Sequence, residues 1–245
     1  MSRREVLRHG AERLRVGLWR GDRSVAYVTP VWEGPPPSGE FVRHALRQLA
    51  DRGVAEVVTG ALSSREQQGF LEAGFEVRDQ LHLLSHDLER VTSPPADVRL
   101  RRAWRGDRPM VLDVDAAAFQ DFWRLDEEGL DEALDATPST RFRVADEQGI
   151  AGYAICGRAG QRGYVQRLAV RPDRQRAGVG AALVLDGLHW MRSRRVRRAV
   201  VNTQVTNEVA LALYLRLGFR LEPGGLAVLG RTVEGAPTRE HRPTW

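Results

Sequence analysis

The residues with the clearest chemical potential lie in one run, from Tyr164 to Leu183. Gly163 to Val170 reads as a strand, Val170-Arg171-Pro172 as a turn, and Gly178 to Arg192 as a helix with Leu183, Val184, Leu188 and Met191 on one face. Between turn and helix stands Gln175-Arg176-Ala177-Gly178-Val179-Gly180. A helix N-terminus offers unpaired N–H groups and about half a positive charge. Glycine lets a ligand approach the backbone closely. Together they make an anion cradle suited to a pyrophosphate, and the guanidinium groups of Arg174 and Arg176 match phosphate geometry. A bare G-x-G also opens many ordinary helices. No Gly-Lys-Ser/Thr follows, which excludes a Walker loop, and the spacing departs from the G-x-G-x-x-G of dinucleotide folds.

The whole stretch resembles motif A of the GNAT superfamily of acyl-CoA N-acyltransferases. That motif is a strand with small or apolar residues at its end, a Val-x-Pro turn, then Q/R-x-x-G-x-G/A. Here the elements are Leu168-Ala169-Val170, Val170-Arg171-Pro172 and Gln175 to Gly180. Downstream, Asn207 to Phe219 is similar to the family's N-x-x-A-x-x-x-Y-x-x-x-G-F segment. The resemblance covers residues 98 to 233. It implies an α/β protein with a mixed sheet, and acetyl-CoA as co-substrate. It also implies that N–H groups from Arg176, Ala177, Gly178, Val179, Gly180 and Ala181, after Gln175, hold the pyrophosphate. Leu168, Ala169 and Val170 would pair through backbone with the pantetheine arm, Asn207 would bond it, and Tyr214 would protonate the leaving thiolate. A plain helix cap at Asn207 and a packed aromatic at Tyr214 are the alternative readings.

An amine must lose a proton to attack a thioester, because a lysine-like amine has a pKa near ~10.4. Relatives often carry a carboxylate on the motif A strand; this sequence has Gln166 and Arg167 there. The other carboxylates on offer are Asp113, Asp115, Asp121, Asp126, Glu127 and Glu128, in a segment that also holds Phe119, Phe122, Trp123 and Arg124. That segment falls where the family builds its acceptor wall. His189 and Cys156 read as structural, and no metal site is expected.

These motifs need elements to hold them. The chain has 245 residues, 42% hydrophobic and 28% charged, which suits a folded core. No apolar run reaches the ~18 residues of a membrane helix, and no signal peptide is apparent after Met1. A cytoplasmic location is expected. One cysteine excludes an internal disulfide. Net charge is +5, but every Lys/Arg position is arginine. That pattern suggests codon bias, so a nucleic-acid partner is not favoured by charge alone. The short clusters Arg99-Arg101-Arg102-Arg105 and Arg192-Arg194-Arg195-Arg197-Arg198 read as solvated faces.

The first half reads as strands at Leu14–Trp19, Ser24–Val31 and Val54–Thr59, one or two strands over Phe75–Leu88, and helices at Glu40–Arg52 and Ser63–Glu72. Ser63 to Phe75 aligns without a gap on Asn207 to Phe219, which places Ser63 for Asn207 and Phe70 for Tyr214. No Q-x-x-G-x-G loop stands upstream, only Pro35-Pro36-Pro37. The expectation is a tandem-GNAT layout. Residues 1–92 form a shortened, degenerate half, 93–97 a linker, 98–233 the acetyl-CoA-binding catalytic domain, and 234–245 a loose tail. The activity implied is an N-acetyltransferase, moving acetyl from acetyl-CoA to a primary amine of a small molecule or protein in a ternary complex. A non-catalytic acyl-CoA sensor and an RNA- or ribosome-associated acetyltransferase are the alternatives. The acceptor is unassigned, and a homodimer is left open.

Overall fold

The computed structural model describes residues 5–19, 22–31 and 34–233. In chain order the elements are β1 (Glu5–His9), β2 (Glu12–Trp19), β3 (Asp22–Pro30), α1 (Gly39–Ala50), β4 (Glu56–Thr59), α2 (Ser64–Glu72), β5 (Glu76–His86), β6 (Leu100–Arg102), α3 (Arg108–Ala118), α4 (Glu127–Asp135), β7 (Ser139–Asp146), β8 (Ile150–Ala159), β9 (Arg162–Val170), α5 (Val179–Ser193), β10 (Arg198–Gln204), α6 (Glu208–Arg216), β11 (Arg220–Leu221) and β12 (Leu226–Thr232). The α/β mixed-sheet class expected from sequence is what forms.

Two compact units divide the chain: one runs to His82 and resumes at Pro223, the other spans Leu83–Glu222. The division therefore differs from the expected one at the 93–97 linker. The segment from Leu226, assigned from sequence to the C-terminal domain, belongs with the first unit. Pairing is the reason. β12 runs antiparallel to β4 (Gly230↔Val58) and to β5 (Leu226↔Leu81), and Ala227 and Leu229 are buried in the first unit's core. The tail at 234–245 lies outside the described residues.

In the first unit the strand order is β1-β2-β3-β4-β12-β5. α1 opens at Ser38, whose hydroxyl accepts from Phe41 N–H at 3.2 Å. Both the N–H and the hydroxyl of Ser38 also donate to the Glu12 carboxylate. α2 opens on a capping box at Ser63, closed by Glu66. The parallel pair β3–β4 is joined from Val25↔Glu56 to Val28↔Thr59, the last residue of β4, and Gly60 N–H still reaches Val28 O at 3.2 Å.

In the second unit the order is β10-β9-β8-β7-β6. All neighbours are antiparallel except β9 and β10, which are parallel. Strand alternation sends Tyr153 and Ile155 to one face, against Val111 and Val114 of α3 and Leu130 of α4. It sends Ala154 to the other, and a bulge at Ala151, between the pairs Asp146↔Ile150 and Ala145↔Gly152, puts Ala151 there too, against Val179, Ala182 and Leu183 of α5. Gly187 lets α5 close on β8, since a Cβ there would meet Cys156 Sγ at 2.4 Å.

Candidate active site

The wedge between β9 and β10 is the central feature. Their parallel register runs from Arg198↔Arg162 to Val200↔Tyr164 and stops. β9 continues to Val170, still joined on its other edge to β8 as far as Gly152↔Val170. Its β10-facing edge, including Leu168, Ala169 and Val170, has no ladder partner from β10 among the described residues. The equivalent parallel pair of the first unit is closed along all of β4. An unpaired sheet edge offers main-chain donors and acceptors to an extended amide-bearing ligand.

The loop stands at the end of this edge. Arg171 N–H donates to Ala151 O at 2.9 Å, and Pro172–Arg174 form a short 3-10 turn. Gln175 then anchors the loop, with Nε2 at 3.4 Å from Val170 O. Gly178 caps α5 with φ 82°, in the left-handed region that favours glycine. Its neighbour Val179 is buried and pins the helix start into the core. The first intrahelical bond is Ala182 N–H to Gly178 O at 2.9 Å. The N–H groups from Arg176 through Ala181 donate to no group among the described residues. A Cβ on Gly180 would come within 3.3 Å of Leu213 Cδ2, so glycine keeps α5 and α6 close. Arg176 and Ala177 are exposed, and Arg176 itself has φ 65°. Free donors, a glycine cap and the positive helix end fit a diphosphate.

Asn207 is half-buried and caps α6, with Oδ1 accepting from Ala210 N–H at 3.0 Å. Tyr214 is 4% exposed, in the buried group with Val165, Val184, Leu188 and Phe219. It meets the Phe219 ring edge-on at 5.5 Å between centroids. Its hydroxyl makes no hydrogen bond among the described residues. Burial, with the Cys156 thiol nearby, raises its pKa well above the usual phenol range. It is therefore a neutral proton holder, not a phenolate. Cys156 itself is buried and pushed up to about 12, chiefly by burial. His189 Nε2 bonds Thr92 O at 2.9 Å, a structural tie as expected.

The feature not read from sequence is a bulge in β9. Cys156 pairs with Val165 and Ile155 with Arg167, leaving Gln166 as the extra residue. Gln166 Nε2 stands 3.5 Å from Thr137 Oγ1, and its Oε1 is buried without a partner. Arg167 forms a fork with Asp115 at 2.7 Å on both arms. Asp115 is fully buried and also accepts from Tyr153 O–H at 2.5 Å and Leu125 N–H at 2.7 Å. Of the carboxylates considered as bases, Asp115 is thus committed to this network. Asp126 caps α4 through Gly129 N–H at 2.7 Å, Asp121 pairs with Arg124 at 2.6 Å, and Asp113 is exposed. The clue to the network in the sequence was Arg167, beside Gln166 and just before the apolar Leu168–Val170 end of the strand.

Residues 100–219 match the Acetyltransferase (GNAT) family. Mycothiol acetyltransferase of Rhodococcus jostii (strain RHA1) is 32% identical over 203 residues, which are 71% of this chain and 67% of that protein. The chain belongs to the GNAT acetyltransferase family. Mycothiol acetyltransferase of Amycolatopsis mediterranei (strain U-32) is 30% identical over 216 residues, 73% of this chain and 70% of that protein. Among solved structures, a tandem GNAT protein from the clavulanic acid biosynthesis pathway superposes with a TM-score of 0.68 at 16% identity. It covers 96% of this chain and 83% of that one, and it supports the tandem GNAT fold. This is an acyltransferase of GNAT type, with motif A and the Asn207–Phe219 segment in the unit that carries the wedge.

Proposed function

We propose that the chain moves an acetyl group from acetyl-CoA to a primary amine by direct attack within a ternary complex. The observation that carries this reading is the open β9 edge running into a loop of unbonded N–H groups. Acetyl-CoA supplies the acetyl group as a thioester. N–H groups from Arg176 to Ala181 bind the pyrophosphate, Gly178 gives it room, and Leu168–Val170 pair with the pantetheine. A backbone N–H of the same strand stabilises the developing oxyanion. As the C–N bond forms and the C–S bond breaks, Tyr214 gives its proton to the leaving thiolate and regains one from solvent. With no carboxylate on β9, the amine proton leaves through water. Asn207, already a helix cap, presents its amide nitrogen to the pantetheine.

Support for catalysis over passive binding comes from the phenol retained at Tyr214, where the aligned position of the first half is Phe70. The test is acetyl-CoA binding by calorimetry, then CoA release and product mass over a broad amine panel. A mycothiol-related amine is the first acceptor to include, given the names of the two relatives. Tyr214→Phe should bind acetyl-CoA as the native chain does and lose about 100-fold or more in kcat. Unchanged turnover would remove Tyr214 from the mechanism.

A further inference from the structure

The first unit's sheet has helices on one face only. α1 and α2 pack there, where Phe41, Leu49 and Phe70 meet Leu14, Val16 and Val28. In the second unit β8 is covered on both faces, by α3 and α4 and by α5. The described residues of the first unit hold no counterpart of α3 and α4. Register decides what the other face carries. Leu7 pairs with Leu14 toward the helices, so the pairs Arg8↔Arg13 and Val6↔Arg15 point away from them. β3 adds Thr29 opposite Arg15 and Tyr27 opposite Gly17. The Trp19 ring lies 5.4 Å from that of Tyr27, and both residues are half-buried.

Charge is sorted between the two faces. The carboxylates of β1 and β2 lie on the helix side, Glu5 against Arg52 and Glu12 against Ser38. The arginines of these strands, Arg8, Arg13 and Arg15, lie on the other. Arg8 and Arg15 are exposed, Arg13 is half-buried, and none of the three forms an ion pair among the described residues. Like charges directly opposite across a ladder destabilise it, and Arg8 and Arg13 stand so. Blunting an edge strand calls for a charge on β1. It does not call for two more on β2 with the carboxylates turned the other way. Along β2, Arg13, Arg15 and Gly17 follow at intervals of about 6.8 Å, and the Trp19–Tyr27 ring pair comes next. The face presents cations, then a position without a side chain, then two aromatic rings.

That order suits one class of ligand. Cations track a phosphate backbone, and aromatic rings take unstacked bases. Glycine within a strand leaves room for another backbone to approach. A second copy of the chain fits poorly, since a two-fold contact on this patch would set the arginines against their own copies. An acidic peptide would use the charges and leave the ring pair without a role. We propose that this face of the first unit binds single-stranded nucleic acid, with Arg8, Arg13 and Arg15 on phosphates and Tyr27 and Trp19 against bases. The placement of the arginines carries this, not the net charge of the chain.

The test is fluorescence anisotropy of the full chain with a labelled oligouridylate of about 12 nucleotides, repeated over a range of salt. The triple variant Arg8→Gln, Arg13→Gln, Arg15→Gln should bind about 100-fold more weakly at ~0.1 M salt. Its slope of log affinity against log salt should be shallower by about two, at ~0.7 per phosphate contact. Tyr27→Leu should weaken binding about fivefold or more and leave the slope unchanged. A control triple elsewhere, Arg192→Gln, Arg194→Gln, Arg195→Gln, removes the same charge and should change affinity less than about threefold. Equal losses in the two triples would mean attraction by net charge and overturn the proposal. So would the absence of binding at low salt, or an unchanged affinity in Tyr27→Leu. A duplex of the same length bound as tightly overturns it too, because paired bases cannot reach the rings. Displacement by polyglutamate at equal charge would give the face to an acidic peptide instead. If the triple variant does not fold, Arg15→Gln alone, at an exposed position, should make the slope shallower by about 0.7; an unchanged slope overturns the assignment.

Discussion

Asp115 accepts four hydrogen bonds while fully buried, from Tyr153, Leu125 and both arms of the Arg167 fork. Such a carboxylate is a hub that fixes the segment between α3 and α4, since Leu125 and Trp123 are tied to the same pair. Breaking a buried pair from one side leaves the other charge uncompensated. Asp115→Asn should therefore cost about 3–5 kcal/mol, read as a shift in the denaturant midpoint. Tyr153→Phe, which removes a single hydrogen bond, should cost about 0.5–1.5 kcal/mol. Equal effects would contradict the hub. None of this was legible from residue order. Asp115 was one of several acidic residues in its segment, and 52 residues separate it from Arg167. Glycine and asparagine, by contrast, announced themselves, because a left-handed cap and a helix N-cap are local requirements that few residue types meet.

The motif elements were read well for that reason. The strand to Val170, the turn at Pro172, the glycine cap and α5 follow one another over short range, where backbone conformation and the helix period dominate. The same is true of α6 behind Asn207 and α2 behind Ser63. The β9 bulge was missed because it exists only in the register against β8. So was β1, whose pairing with β2 at Leu7↔Leu14 buries both leucines. β5, read as one or two strands, is a single strand of 11 residues. A prediction belongs here. Gly178→Ala forces a side chain to φ 82° and should cost about 1–2 kcal/mol in thermal or denaturant melts. It should also weaken acetyl-CoA binding by calorimetry. An unchanged melt with unchanged binding would remove the loop's dependence on that conformation.

At the scale of the molecule, His86 is a source of acid sensitivity above the carboxylate range. His86 is buried, its Nδ1 accepts from Leu88 N–H at 2.8 Å, and its ring meets Phe219 at 5.2 Å. Burial lowers its pKa below the ordinary 6.5, against a smaller upward pull from Asp87. The unfolded chain therefore binds this proton more readily than the folded one. The stability it contributes is present above about pH 6.5 and is lost as pH falls through that value toward the lower folded one. Melting temperature should fall from pH 7.5 to 5, and His86→Gln should flatten that slope. A slope unchanged in the variant would place the acid sensitivity elsewhere.

At this scale the division between sequence and structure is clear in β12. Residues 226–232 open on a short apolar run, Leu226 to Leu229, of strand length, so the sequence alone pointed to a strand there. It could not say which sheet receives it, because main-chain pairing is nearly blind to side-chain identity. Burial of Ala227 and Leu229 in the first unit's core decided that. The chemistry divides in the same way. The residue order of Gln175 to Gly180 and Asn207 to Phe219 was enough to point to the GNAT family, since cradling an anion and capping a helix are local tasks. Only the tertiary structure separated β9 from β10, closed β3 on β4, and turned Arg167 toward Asp115. Those outcomes depend on register and packing between segments far apart in the chain.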